Sequence, residues 1–254
     1  MAFYQFALPS ERLGFPVEMC AHLPEGEGDM RVLWLLHGAN SDCTEWFTQT
    51  PLQRYLERRR LAAITVSVFN GFYVNMQYGA AYADYLEQEW IASVRGVFPC
   101  LPSEREKNFL AGASMGGFGA MRLAVNRPDL FSKVGSFAGS IEMPTIVERY
   151  QRGIQPGGED FEWAFGTYEN LINNSNDVIF MARQCVRDGR MPQVYLVCGR
   201  EDFGYALNLI ARDDLRLSGA DVRWRECGGI HSYDCWDPEL PLFLDWLEEK
   251  EVGE

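Results

Sequence analysis

Histidine is scarce in this chain. Only His22, His37 and His231 occur in 254 residues. Three isolated imidazoles exclude a histidine-built metal centre and leave few candidates for a general base. The seven cysteines, at positions 20, 43, 100, 185, 198, 227 and 235, are odd in number and never form C-x-x-C, so no zinc or redox motif can be read from them. Cys185, Cys198 and Cys227 fall within predicted elements as small hydrophobes do, and reduced thiols in a cytoplasmic setting are the expectation. Positive charge is also in short supply. Lys and Arg number 23 against 36 Asp and Glu, and the resulting net charge of −13 argues against nucleic-acid or anionic-membrane partners. The only basic cluster, Arg58-Arg59-Arg60, reads as the solvated end of a helix. No apolar run reaches the length of a membrane span, and the first residues lack the basic and apolar regions of a signal peptide.

What is present is an ordinary globular mixture with no compositional break, so residues 1–254 are expected to form a single domain. Ala2–Leu8 and Phe15–Leu23 alternate loosely between apolar and polar residues and read as paired, half-buried strands. Near-continuous apolar runs follow at Arg31–Leu36, Ala62–Val68, Phe109–Ala113, Val134–Phe137, Val194–Cys198 and Val222–Cys227. Helical stretches separate them. Pro51–Arg60 follows a candidate cap at Thr50, and Ala80–Phe98 carries Tyr82, Leu86, Trp90 and Val94 on one face. Gly117–Asn126, Asp177–Arg187, Tyr205–Ser218 and Pro238–Glu249 complete the set. Strands alternating with helices predict a mostly parallel sheet of eight strands covered on both faces. Residues 139–175, between strands six and seven, fit no strand and contain Pro144, Pro156, Gly157 and Gly158 among five aromatic residues. They read either as a short lid or as a surface excursion anchored by its rings.

The chemistry is concentrated where strand five ends. Gly112-Ala113-Ser114-Met115-Gly116 places a serine between glycines at minus two and plus two, the pattern of a sharp strand-to-helix turn that lifts a hydroxyl above a sheet edge. The helix that follows directs its first N–H groups at the same point, where a developing negative charge would be stabilised. In the chain order Ser, then acid, then His, only His231 comes after Ser114. It lies on the loop after strand eight, behind Gly228-Gly229. Asp202 lies on the loop after strand seven and is the candidate for orienting the imidazole, with Glu201 its nearest competitor. A helix cap for the following turn is the alternative role for Asp202. Two N–H donors are needed for the oxyanion of acyl transfer; the residue after the serine, Met115, and Ala39, in the loop after strand three, are the candidates. His37 is expected to brace that loop rather than to act as a base. Trp46, Tyr73, Tyr78 and Trp236 are candidates for lining a substrate pocket.

Beyond these residues, the chain resembles the putative-esterase branch of the α/β hydrolases, which includes tributyrin esterases, esterase D and feruloyl or acetylxylan esterases. The resemblance is carried by Leu36-His37-Gly38 with Trp46, by Phe72-Tyr73 through Tyr78-Gly79, by Gly112 through Ala120, by Cys198-Gly199 with Glu201-Asp202-Phe203, and by His231 with Trp236-Asp237. It implies the α/β-hydrolase fold, a triad of Ser114, Asp202 and His231, an oxyanion hole of Ala39 and Met115, and no cofactor or metal. Relatives carry His-Asp-Trp at the base, where this chain has His231-Ser232-Tyr233. The activity implied is hydrolysis of short-chain acyl esters of small molecules through an acyl-serine. Action on S-formylglutathione or on acetyl or feruloyl sugars, acyl transfer, and a catalytically inert binding scaffold stay open at this point, as does assembly into a homo-oligomer.

Overall fold

In a computed structural model, which describes residues 2–26, 28–154 and 159–249, the chain runs as follows. It opens with β1 (Ala2–Pro9), β2 (Pro16–Leu23), β3 (Arg31–Leu36), α1 (Glu45–Gln49), α2 (Leu52–Leu56) and β4 (Leu61–Val66). Next come α3 (Tyr82–Tyr85), a π-turn (Leu86–Trp90), α4 (Ile91–Val97), β5 (Asn108–Ala113), α5 (Met115–Asn126) and β6 (Lys133–Phe137). The remainder is α6 (Met143–Gln151), α7 (Glu159–Phe165), α8 (Val178–Arg187), β7 (Gln193–Gly199), α9 (Tyr205–Leu217), β8 (Val222–Cys227), α10 (Tyr233–Trp236) and α11 (Leu240–Glu248).

The eight strands form one sheet in the order β1-β2-β4-β3-β5-β6-β7-β8. β1 and β2 pair antiparallel, as do β2 and β4, and every later pairing is parallel. β3, β4 and β5 are buried along almost their whole length, which is why their sequences are unbroken apolar runs. β1, at one edge, keeps the alternation of a half-exposed strand. Successive side chains of β3 feed opposite faces: Trp34 joins Trp90 and Phe118 on one side, while Leu33 and Leu35 join Trp46, Phe137 and Phe243 on the other. No helix among the described residues is long and apolar enough to cross a membrane.

The expected helix 51–60 is shortened to α2, which ends at Leu56, and a separate short helix, α1, precedes it. Thr50 is extended (φ −135°, ψ 157°), as suits the residue before a proline, and its hydroxyl donates to the Trp46 carbonyl instead of capping α2. The arginine triplet therefore lies beyond α2. Arg59 pairs with Asp245 and Glu248 of α11, and Arg60 donates to the Glu25 and Gly26 carbonyls. These residues fasten loops at the end of the sheet opposite the functional loops.

The segment after β6 contains α6, α7 and a 3-10 turn at Tyr168–Asn170. Pro156, Gly157 and Gly158 lie outside the described residues. Met143, Ile146, Val147, Phe165 and Leu171 are buried in the main core. Phe161 and Phe165 pack on Phe72, at 5.3 and 5.1 Å between ring centres. The segment is thus fixed to the body through its apolar side, with Trp163 48% exposed on the other.

Arg122 of α5 connects three parts of this frame. Its side chain is 4% exposed, pairs with Glu87 of the π-turn at 2.8 Å and reaches Asn176 at 2.7 Å. Removing one partner of a buried pair leaves an uncompensated charge. Arg122→Ala is expected to lower the unfolding free energy by about 3 to 5 kcal/mol. Urea unfolding followed by tryptophan fluorescence measures it; a loss below about 1 kcal/mol would mean that Glu87 is solvated without its arginine.

Candidate active site

The C-terminal ends of β3, β5, β7 and β8 bring their loops to one edge of the sheet, and Ser114 sits at the centre. Its backbone has φ 54° and ψ −117°, a region that costs an L-residue about 1 to 3 kcal/mol and is held only when the surroundings impose it. The flanking glycines are required by contact. A Cβ on Gly112 would lie 2.1 Å from the Gly116 carbonyl oxygen, and one on Gly116 would lie 2.3 Å from that of Leu36. The turn is further fixed by the Ser114 N–H, which donates to the Phe137 carbonyl at 2.8 Å. The Ser114 carbonyl accepts from Gly117 N–H at 2.9 Å, so α5 begins directly behind the hydroxyl.

The other two side chains meet the serine in one chain of hydrogen bonds. His231 Nδ1 lies 2.7 Å from Asp202 Oδ2, and its Nε2 lies 2.8 Å from Ser114 Oγ. A carboxylate accepts only, so Nδ1 carries the proton and Nε2 is left to accept from the serine hydroxyl. The Asp202 side chain is 0% exposed and that of His231 is 18% exposed. Asp202 also takes the Gly204 N–H on its other oxygen at 2.7 Å, which combines imidazole contact with turn formation. Glu201 binds Gly229 N–H at 2.6 Å instead, holding the histidine loop from below. The imidazole is packed between the Phe203 ring, 4.5 Å away, and the edge of Trp236, 4.9 Å away.

Ala39 is exposed on the loop after β3, and Met115 begins α5. Neither N–H is taken by a hydrogen bond among the described residues. Both are within one tightly packed region, because α5 starts against the carbonyls of Leu36 and His37. His37 is a brace. Its Nδ1 donates to the Gly38 carbonyl at 2.6 Å, and its Nε2 accepts from Val68 N–H at 3.1 Å. Burial pushes its pKa down, which suits a neutral ring with one donor and one acceptor.

Three of the four expected pocket residues are not pocket surface. Trp46 and Tyr73 are each 1% exposed; the indole donates to the Leu36 carbonyl at 3.0 Å and the phenol to the His37 carbonyl at 2.7 Å. Trp236 is 4% exposed and serves as a wall behind the imidazole. Carbonyls at the ends of buried strands need donors, and aromatic rings with polar tips supply them without leaving the core. Tyr78 alone is open, at 67% exposure. Sequence reading also missed Glu45, whose carboxylate accepts Gly38 N–H at 2.6 Å. Its only signal was adjacency to Trp46.

The cysteines require a correction as well. Cys227 and Cys235 form a disulfide that brackets His231, whereas all seven were expected as thiols. The end of β8 and the return of the chain in α10 bring the two together, a tertiary proximity that a separation of eight residues does not announce. Cys20, Cys43, Cys100, Cys185 and Cys198 are free.

Comparison with known proteins follows the same lines. A family model described as "Putative esterase" matches residues 10–247. An acetyl esterase of Caldicellulosiruptor saccharolyticus is 26% identical over 225 residues, 87% of this chain and 84% of its own. Among solved structures, a substrate-bound fluorophosphonate-binding serine hydrolase F of Staphylococcus aureus superposes with a TM-score of 0.86 at 26% identity, covering 98% of this chain and 99% of the other. The apoenzyme of an S-formylglutathione hydrolase from the same organism gives a TM-score of 0.84 at 27% identity over 97% and 98% of the two chains.

The contact between α5 and the β3 loop can be tested with one methyl group. Gly116→Ala forces Leu36 and His37 away from the serine turn, so esterase activity is expected to fall by about a hundredfold or more, the scale of losing an oxyanion donor. Melting temperature should fall with it, since the clash is with backbone. A variant with wild-type kcat and melting temperature would show that the turn relaxes freely.

Proposed function

The chain belongs to the putative-esterase family, and from that membership we propose that it is a serine carboxylesterase in which Ser114, His231 and Asp202 form the catalytic triad. The observation that carries this reading is the unbroken hydrogen-bond chain from Ser114 Oγ through the imidazole to the buried Asp202 carboxylate. Ser114 Oγ attacks the acyl carbon while His231 Nε2 takes its proton. Asp202 stabilises the imidazolium that forms and keeps the ring in register. The carbonyl oxygen becomes an oxyanion, and the Ala39 and Met115 N–H groups donate to it, with the N-terminus of α5 adding its dipole. The imidazolium then protonates the leaving alcohol, leaving an acyl-serine. Water repeats the sequence: His231 takes its proton, hydroxide adds to the acyl carbon, and the serine leaves with the proton returned.

The substrate side of the proposal is a short acyl group. The segment after β6, residues 139–175, is short and anchored in the core, so each added methylene is expected to contribute its roughly 0.8 kcal/mol only over a short length of acyl chain. A thioester reading is kept beside it because of the S-formylglutathione hydrolase among the structural relatives. A cytoplasmic location belongs to the same proposal. The free cysteines support it and the Cys227–Cys235 bond counts against it; alkylation of the protein in intact cells, read by mass, distinguishes the two.

Ser114→Ala should lower kcat by roughly four to six orders of magnitude with the fold intact, and should abolish labelling by a fluorophosphonate probe. Activity within tenfold of wild type would remove Ser114 from the mechanism. Across p-nitrophenyl esters, kcat/KM should peak between acetyl and butyryl and decline by about eight carbons. A maximum at eight or more would overturn the short pocket, and a kcat/KM for S-formylglutathione far above that for any oxygen ester would favour the thioester reading.

A further inference from the structure

The loop after β3 must present the Ala39 N–H to the reacting oxygen, yet it consists of small residues with no helix to stiffen it. Its order comes from three groups that grip successive peptide units. The peptide joining His37 to Gly38 is held at both ends: Tyr73 donates to its C=O at 2.7 Å, and Glu45 accepts its N–H at 2.6 Å. The next peptide, joining Gly38 to Ala39, is held by its C=O, which accepts from His37 Nδ1 at 2.6 Å. In a planar trans peptide the N–H points opposite to the C=O, so fixing the Gly38 carbonyl fixes the direction of the Ala39 N–H.

Two of these grips are neutral, and the third is a carboxylate. Glu45 opens α1 and turns back onto the loop it follows. The carboxylate has a second neighbour, from the histidine loop. Tyr233 packs edge-on against the ring of Trp46, next to Glu45, at 5.6 Å between ring centres. Its buried hydroxyl lies beside the Glu45 carboxylate and has no hydrogen-bond partner among the described residues. Tyr233 stands where the family resemblance would place tryptophan, which has no hydroxyl to offer.

We propose that Glu45 is a positioning residue for the oxyanion hole, holding Gly38 so that the Ala39 N–H faces the acyl oxygen, and that Tyr233 ties the same carboxylate to the loop carrying His231. The inference rests on the esterase reading above. Burial raises the Glu45 pKa, with Asp42 adding to it, while the Gly38 N–H, Tyr233 and Ser41 oppose the rise. The protein thus keeps an acid in an unfavourable place, as expected for a group retained for geometry rather than stability.

Steady-state kinetics on p-nitrophenyl acetate with Glu45→Ala, Glu45→Gln and Tyr233→Phe test this. An oxyanion donor acts in the transition state, so Glu45→Ala is expected to lower kcat by about thirtyfold or more with KM within about threefold. The amide oxygen of glutamine still accepts the Gly38 N–H, so Glu45→Gln should recover kcat to within about fivefold of wild type. Tyr233→Phe should cost a few-fold in the wild-type background and nothing further beside Glu45→Ala, since both act through one carboxylate. Glu45→Ala within threefold of wild type overturns the proposal, and so does a Glu45→Gln enzyme that stays folded with its kcat down thirtyfold. Should the alanine variant not fold, the glutamine variant and Tyr233→Phe decide alone. Wild-type turnover that is lost in Ser114→Ala upholds the esterase reading whichever way Glu45 falls.

Discussion

The backbone of Ser114 is the constraint on which the rest of the site depends. A serine at φ 54° is not stable on its own account, and it persists because the chain on either side has nowhere else to go. Gly112 and Gly116 touch each other across the turn, and Gly116 touches the carbonyl of Leu36. The helix that follows Ser114 is therefore pressed against the end of β3 with no side chain between. That pressure does two things together: it raises the hydroxyl above the sheet, and it places the start of α5 beside the loop containing Ala39. The two proposed oxyanion donors, from distant stretches of sequence, are thus set on neighbouring elements by backbone contact between α5 and the end of β3.

Such a contact leaves strand-end carbonyls in the interior, and their satisfaction explains the surrounding aromatics. Leu36 O is taken by the Trp46 indole, His37 O by the Tyr73 phenol and Gly38 O by the His37 imidazole. Each ring is buried, so each contributes apolar area as well as one donor. These rings are structural fasteners of this edge of the sheet, and the proposed substrate surface is what they leave uncovered: Ser114, His231 beside Phe203, and the Ala39 backbone.

The sheet and the three polar side chains were legible in the sequence because both depend on local rules. Unbroken apolar runs mark strands buried on two faces, glycine spacing marks the turn, and chain order leaves His231 without a rival. The misread features all depend on contacts between segments remote in sequence or on a competition that periodicity does not reveal. The helix expected at 51–60 ends early, at Leu56, and Thr50, expected as its cap, gives its hydroxyl to the Trp46 carbonyl instead. Trp46 and Tyr73 looked like pocket residues because an aromatic near a catalytic loop carries no mark of which way it faces. Cys227 and Cys235 are joined only once α10 turns back over β8, and Glu45 acquires its role only once α1 folds under the loop that precedes it.

The same geometry explains why the histidine loop needs so many attachments. In the sheet order, β8 lies three strands from β5, a separation of about 14 Å at ordinary strand spacing, and His231 must cover that distance to reach Ser114. A loop reaching so far would hold an imidazole poorly, because a displacement of about 1 Å is enough to cost a hundredfold in rate. It is held at its start by Glu201 on Gly229, across its ends by the disulfide, and beyond His231 by Tyr233 against Trp46. That last contact joins the histidine loop to Trp46, whose indole also holds the end of β3 through the Leu36 carbonyl. The proposed base and the proposed oxyanion donors consequently share supports. Moving Trp46 or Glu45 is expected to disturb both proposed roles together, because the histidine loop and the β3 loop rest on the same pair of side chains.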